Sequence, residues 1–240
     1  MALIIVGHEE SQAVTIALRA NGHESYSCDL KPCSGGFPEW HLQMDVFKAI
    51  ALKKWDAAIF FPDCTYLTIS AEWAYKDGPY HQKVKPETLV GADRRNARVL
   101  AVKHVKALWD CGINEIGIEN PVGRLSSLWM KPTQTIQPYQ FGDDASKRTC
   151  LWLKGLPKLQ TTEYVQPRIV DGKERWGNQT DSGQNRLSPS DNRAELRSKT
   201  YPGIAKAMAD QWFTSGGRKI FNHGQLQMKF DTKQCRSACF

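Results

Sequence analysis

A chain of 240 residues with 41% hydrophobic and 24% charged residues has the composition of a folded protein able to bury one sizeable core, with room for a small appendage. Its apolar runs, such as Ala2 to Val6 and Ala57 to Phe61, are too short to span a bilayer and no charged stretch introduces a signal-like segment, so a soluble, cytoplasmic protein without a membrane partner is expected. Seven scattered cysteines, an odd number, fit reduced thiols better than a disulfide framework, and none of their spacings suits zinc, so no metal is expected.

The net charge of +7 is unevenly placed. Residues 145–200 hold 11 Lys and Arg against 6 Asp and Glu, and residues 213–240 hold 5 against 1. A polyanion partner fits such a surplus, because clustered cations displace the counterions condensed on phosphates; solvated surface charge is the alternative.

In chain order, Ala2 to Val6 reads as a buried strand ending at Gly7, and Ala13, Val14, Ala17 and Leu18 recur at helical spacing until Asn21-Gly22. His23 to Cys28 reads as a second strand ending in Asp29, at the distance from the first turn where nucleoside-binding α/β folds carry a ribose-binding acid; a turn or cap role is the alternative. Asp45 is a second such carboxylate, or the cap of a helix over Val46 to Leu52.

Trp55 to Phe61 is a third buried strand, and the turn after it holds Pro62-Asp63-Cys64. In open α/β sheets ligands bind beyond the carboxyl ends of the strands, which would put Cys64 at the ligand edge; a buried thiol acting as a small hydrophobe is the alternative. Glu72 to Val90, with Trp73, Tyr75 and Tyr80, lacks periodicity and reads as a loop over that edge. Thr88 to Trp109 reads as a helix with an imperfect apolar face including Leu89, Ala92, Val99, Val102, Val105 and Leu108, and with Arg94, Arg95 and Arg98 on the other side.

Asn114 to Ile118 is a fourth strand, running into Glu119-Asn120-Pro121; in a parallel sheet its loop emerges on the same edge as Cys64. Residues 123–132 read as a short helix and turn, Gln134 to Phe141 and Thr149 to Leu153 as strands, and 157–199 as extended or mobile loops. Pro202 to Phe213 is helical, with Ile204, Ala205, Met208 and Trp212 on one face, and the tail after Ser215 is weakly patterned and expected to be disordered.

Taken in order, Asp29, Asp45, Pro62-Asp63-Cys64, Glu119-Asn120-Pro121, Lys147-Arg148-Thr149 and Thr200 to Ala205 resemble the motif series of DNA cytosine-5 methyltransferases, over about residues 3–213. Gly7-His8-Glu9-Glu10-Ser11, Thr65 to Thr68 and Arg197 to Ala205 are similar to a short variety encoded by bacteriophages and mobile elements. The resemblance implies a Rossmann-like α/β, S-adenosylmethionine-dependent methyltransferase fold with a mainly parallel sheet. It implies double-stranded DNA as partner and action in a bacterial host cell; a monomer is expected.

By the same resemblance Cys64 is the nucleophile for cytosine C6, Glu119 holds the N3 and amino edge, and Arg148 stands near the base. Gly7, Asp29, Asp45 and Pro62 line the cofactor site. Trp73, Tyr75, Arg168, Arg175, Trp176, Arg186 and Arg197 are candidates for the DNA face, with core packing as the alternative for the aromatics. The implied division is a catalytic core over 1–155, a short basic recognition segment over 156–199, a returning helix over 200–213 and a basic tail over 214–240.

Three features depart from the family pattern. His8-Glu9-Glu10 replaces a glycine-rich turn, Asp63 replaces a proline before the cysteine, and only about fifty residues separate Arg148 from the Thr200 motif. Asp63 and the glycine-poor turn keep open a methyltransferase-like DNA-binding protein without turnover, and an RNA cytosine-5 methyltransferase is a further reading because the same Cys and Glu chemistry serves RNA.

Overall fold

The computed structural model describes residues 1–81, 83–188 and 193–213; the tail expected after Ser215 lies outside them. Seven strands form one sheet: β1 (Leu3–Gly7), β2 (Glu24–Asp29), β3 (His41–Gln43), β4 (Ala57–Phe60), β5 (Glu115–Pro121), β6 (Gln134–Ile136) and β7 (Thr149–Lys154). Their spatial order is β3-β2-β1-β4-β5-β7-β6. The first five run parallel, and β7 is antiparallel to both β5 and β6. This is a Rossmann-like α/β fold.

The apolar runs become central strands because both of their faces are covered. Successive side chains of a strand point to opposite faces. Ile4, Val6, Ala57 and Ile59 therefore pack with Val14 and Leu18 of α1 (Ala13–Ala20) and with Ile204, Met208 and Trp212 of α6 (Pro202–Trp212). Ile5, Ala58, Phe60, Ile116 and Ile118 pack on the other side with Val46 and Ala49 of α2 (Val46–Leu52) and with Val102, Val105 and Leu108 of α3 (Gly91–Trp109). Trp212 closes the first layer over β5: a Cβ at Gly117 would meet its ring at 3.2 Å.

The helix α3 departs from expectation. Arg94 and Arg98 are 7% and 9% exposed, whereas Val99 of the expected apolar face is 52% exposed. The cause is the loop after Cys64, which folds back over the N-terminal half of α3. Arg98 Nε donates to the Tyr66 carbonyl at 2.8 Å and its Nη2 to Glu72 at 2.6 Å, while its guanidinium lies 3.3 Å from the Tyr75 ring centroid. Only the second half of the helix reaches the sheet.

The expected strand over 134–141 stops at Ile136, because Pro138 lacks the N–H a ladder needs and opens a 3-10 turn, Pro138–Gln140. Within 157–199 the chain is more regular than expected. It forms a hairpin, β8 (Arg168–Val170) with β9 (Lys173–Arg175), and a short helix α5 (Arg193–Ser198). The hairpin turns on Asp171-Gly172, both at positive φ, the pairing that two-residue turns favour. A second short helix, α4 (Leu125–Leu128), follows β5.

Gly203, in the first turn of α6, sits where the helix meets the Phe141 to Asp143 turn. A Cβ there would lie 1.9 Å from the Phe141 carbonyl oxygen. Gly203→Ala is expected to cost about 1–3 kcal/mol by overpacking, read as a lower urea midpoint at unchanged m-value; an unchanged midpoint would show that the junction yields freely.

Candidate functional site

Strand order reverses at β1, whose neighbours are β2 on one side and β4 on the other. A crevice opens beyond the carboxyl ends of parallel strands at such a point. Gly7, Asp29, Met44-Asp45, Pro62 to Cys64 and Glu119 all lie on this edge, since β1, β2, β3, β4 and β5 run in the same direction. Two groups of side chains gather there, one on each side of the reversal.

The first group surrounds the end of β1. A Cβ at Gly7 would collide with Phe60 at 2.7 Å and Val46 at 2.8 Å, so only glycine fits. His8 follows at φ 60°, with its Nε2 3.0 Å from His104 Nε2. Burial, and next the neighbouring imidazole of His104, lower the His8 pKa to about 4, against raising contributions from Asp29 and Asp45. The ring is therefore neutral at neutral pH. Asp29 Oδ1 accepts from the Lys31 amide at 2.9 Å. Asp45 Oδ1 accepts from the Phe47 and Lys48 amides at 3.0 and 3.2 Å, so this residue does cap α2. These bonds engage one oxygen of each carboxylate.

Glu9 explains the missing glycines. Its buried carboxylate accepts from Val14 N at 2.6 Å, Thr15 N at 3.2 Å and Thr15 Oγ1 at 2.7 Å, filling the N-terminus of α1. In dinucleotide-binding folds that position receives a pyrophosphate. Here a side chain of the protein occupies it, at the cost of desolvation that raises the Glu9 pKa to about 7. A nucleoside ligand without phosphate suits this edge.

The second group joins β4 to β5. Asn120, 1% exposed, donates from Nδ2 to the Pro62 carbonyl at 2.9 Å and so locks the two motif loops together. The loop is further held by Asp63 Oδ1, which accepts from Thr65 N at 2.9 Å and Thr65 Oγ1 at 2.6 Å, and by the Arg124 amide donating to Leu67 O at 2.6 Å. Cys64 is half-buried. Burial raises its pKa, Asp63 and Glu119 raise it further, and Lys147 lowers it. Glu119 is also raised by burial, against Lys147 and the Thr149 side chain. A thiol, a carboxyl and one ammonium thus share the edge.

Lys147 was not singled out from the sequence, although it adjoins Arg148. Its Nζ donates to the Arg197 carbonyl at 2.9 Å, so α5 steadies a cation that acts on both Cys64 and Glu119. Arg148 is exposed and acts on Tyr139 and Cys150. The remaining candidates divide by burial. Tyr75 is buried, bonded to Tyr66 O at 3.0 Å. Trp176, 6% exposed, stacks on Tyr139 at 4.2 Å and pins the 156–199 segment to the core rather than facing outward.

Arg168 is salt-bridged to Asp181, Arg175 Nε donates to Asp181 O at 3.0 Å and Arg186 Nε donates to Gln179 O at 2.8 Å, so these arginines brace the segment internally. Trp73 is half-buried against Tyr80 and His81, and Arg197 is exposed. Among the described residues no group of three His, Cys, Asp or Glu is placed to hold a metal, and no helix is long and apolar enough to cross a membrane.

No protein-family model matches the chain, and neither does any curated protein sequence. Among solved structures it is similar to a DNA modification methyltransferase encoded within an E. coli prophage, at 11% identity over 71% of this chain and 57% of that one, with a TM-score of 0.38. It is also similar to a mutant of Spodoptera frugiperda DNMT2, at 16% identity over 73% of this chain and 57% of that one, with a TM-score of 0.38. The chain spans less than two thirds of either structure. Likenesses this distant carry no functional argument, which rests instead on the residues above.

Because three charged neighbours act on the Cys64 pKa beside burial, its reactivity tests the geometry. The thiolate is the reactive form, so alkylation by iodoacetamide should quicken as pH rises toward the raised pKa. At pH 8, Asp63→Asn should speed modification of Cys64 by about twofold or more and Lys147→Met should slow it by a similar factor, measured by peptide mass spectrometry. Equal rates in all three proteins would place those charges outside its reach.

Proposed function

We propose that this protein is an S-adenosylmethionine-dependent methyltransferase that modifies C5 of cytosine in double-stranded DNA through a covalent bond to Cys64. The observation that carries this reading is the meeting of Cys64, Glu119 and Lys147 on one sheet edge, beside the strand-order reversal at β1 where Asp29 and Asp45 lie. The motif order adds the chemistry that such a trio serves.

Cytosine C5 is too weak a nucleophile to react unaided. The Cys64 thiolate would add to C6, forming an S–C6 bond and moving the C5–C6 π electrons toward C5. Glu119 suits the other edge of the ring. Burial shifts it toward the protonated form, which would donate to N3 while its carbonyl oxygen accepts from the amino group. Lys147 would then favour the thiolate as well as the electron-rich ring. When bound, S-adenosylmethionine supplies the electrophilic methyl group for C5. Transfer of the C5 proton to a solvent water acting as base would return its electron pair to the C5–C6 bond and expel the thiolate.

The residues at the β1 end fit that cofactor. Asp29 and Asp45 would hold the ribose and the adenine amino group, with Gly7 at the turn that ends β1, and the α1 N-terminus filled by Glu9 disfavours a phosphate-bearing alternative. The target base lies inside a duplex stack and has to be flipped out to reach Cys64. Residues 1–155 would form the core and 156–199 a short recognition segment with relaxed sequence preference, dominated by phosphate contacts. A specific observation favours a second reading, a DNA-binding relative without turnover: burial, and next Asp63 beside it, raise the pKa of the Cys64 thiol and disfavour the thiolate.

Tritium transfer from labelled S-adenosylmethionine to duplex DNA, with tRNA in parallel, separates the readings. Transfer to DNA is expected, lost in Cys64→Ser and reduced about 10²-fold in Glu119→Gln. Transfer that survives in Cys64→Ser would refute the covalent route. Cofactor and DNA binding without transfer would favour the second reading, and transfer to tRNA alone would replace the substrate.

A further inference from the structure

A groove of about 540 Å³ runs along the outer face of α3, apart from the crevice at the sheet edge. Val99, Val102 and Leu128 form its apolar floor, and Lys103, Lys106 and Arg124 stand around it. Val99 is 52% exposed and Leu128 45%, so apolar surface that gains from leaving water is held in a concave setting. The charge of the lining is one-sided. Arg95, Arg98, Lys103, Lys106 and Arg124 face a single carboxylate, Glu72.

The arginines have acidic neighbours within the protein. Arg95 pairs with Asp77 at 3.1 Å, and Arg98 and Arg124 share Glu72 at 2.6 and 3.7 Å. Among the described residues, exposed Lys103 and Lys106, one turn apart on α3, have no acidic partner. An apolar floor beside two unmatched ammonium groups specifies a complementary occupant.

We propose that this groove docks a segment of a partner protein that presents an apolar side chain flanked by carboxylates. The apolar group covers Val99, Val102 and Leu128, while the carboxylates meet Lys103, Lys106 and Arg124. A nucleic-acid backbone would answer the charge but offers no apolar knob for the floor. The inference stands independently of the methyltransferase reading.

The groove also adjoins the Cys64 loop. The Arg98 guanidinium, held by Glu72, bonds the Tyr66 carbonyl, and the Arg124 amide bonds the Leu67 carbonyl. A carboxylate arriving at Arg124 competes with Glu72 for that cation, within the network that fixes the loop two and three residues beyond Cys64. Docking there is therefore placed to alter the setting of the thiol.

Selection from a display library of random peptides of about twelve residues on the full chain, followed by affinity measurement on purified peptides, tests the proposal. The enriched peptides should carry Leu, Ile or Phe flanked by Asp or Glu. They should bind the Lys103→Glu, Lys106→Glu, Leu128→Asp triple variant at least about tenfold more weakly, and amide replacement of their carboxylates should weaken them similarly. All three positions are exposed, and the melting curve checks that the variant folds; should it not, Lys106→Glu alone should still weaken binding by about threefold. The proposal falls if no peptide family is enriched, if the enriched peptides lack acidic residues, or if they bind wild type and variant alike. It falls equally if the variant keeps peptide binding but loses affinity for duplex DNA, which would make the groove a nucleic-acid surface.

Discussion

The hydrogen bond from Asn120 Nδ2 to the Pro62 carbonyl is the constraint on which the site depends. Parallel pairing of β4 with β5, with Phe60 opposite Ile118, brings the two loops to one edge, but pairing alone leaves the turn after Phe61 free to choose its path. The buried amide removes that freedom. It ties the residue two before Cys64 to the residue after Glu119, and its removal would leave a desolvated carbonyl without a partner. Around this bond the other restraints on the loop are short and local: the Asp63 turn, the Arg98 bridge to Tyr66 and the Arg124 amide on Leu67.

The electrostatics of the edge oppose each other by design of the fold. Burial and two neighbouring carboxyl groups favour the protonated form of the Cys64 thiol, and Lys147 and a backbone hydrogen bond act against them. Protonation of Glu119 removes one of those negative charges, so the form of Glu119 suited to bind a cytosine edge is also the form that eases ionisation of Cys64. The cation itself is anchored from α5 through the Arg197 carbonyl, which links the basic segment to the chemistry of the core. On the other side of the strand reversal, Glu9 supplies internally the hydrogen-bond acceptors that a glycine-rich turn would leave to a ligand.

The central strands and the outer helices α1 and α6 could be read from the chain because burial on both faces demands unbroken apolar runs, and a half-buried helix demands a periodic one. The meeting of Cys64 and Glu119 followed from parallel topology. The buried arginines of α3 were hidden because their burial comes from a loop some thirty residues earlier in the chain, not from the helix's own periodicity. The β8–β9 hairpin has a readable signal in Asp171-Gly172, but its strands are only three residues long and β9 is wholly charged, so no alternating apolar pattern marks it. Trp176 and Tyr75 look like DNA-facing aromatics in a polar stretch, yet both are buried by stacking or hydrogen bonding. Lys147 required knowing which of two adjacent cations β7 and α5 direct toward the edge.

The most direct test of the covalent account uses duplex DNA in which every cytosine is 5-fluorocytosine, incubated with the protein and S-adenosylmethionine and then mapped by peptide mass spectrometry. Fluorine at C5 cannot leave as a proton does, so an adduct that normally resolves should persist. The account predicts a cross-link at Cys64. A cross-link at another residue, or none with DNA and cofactor both bound, would contradict it.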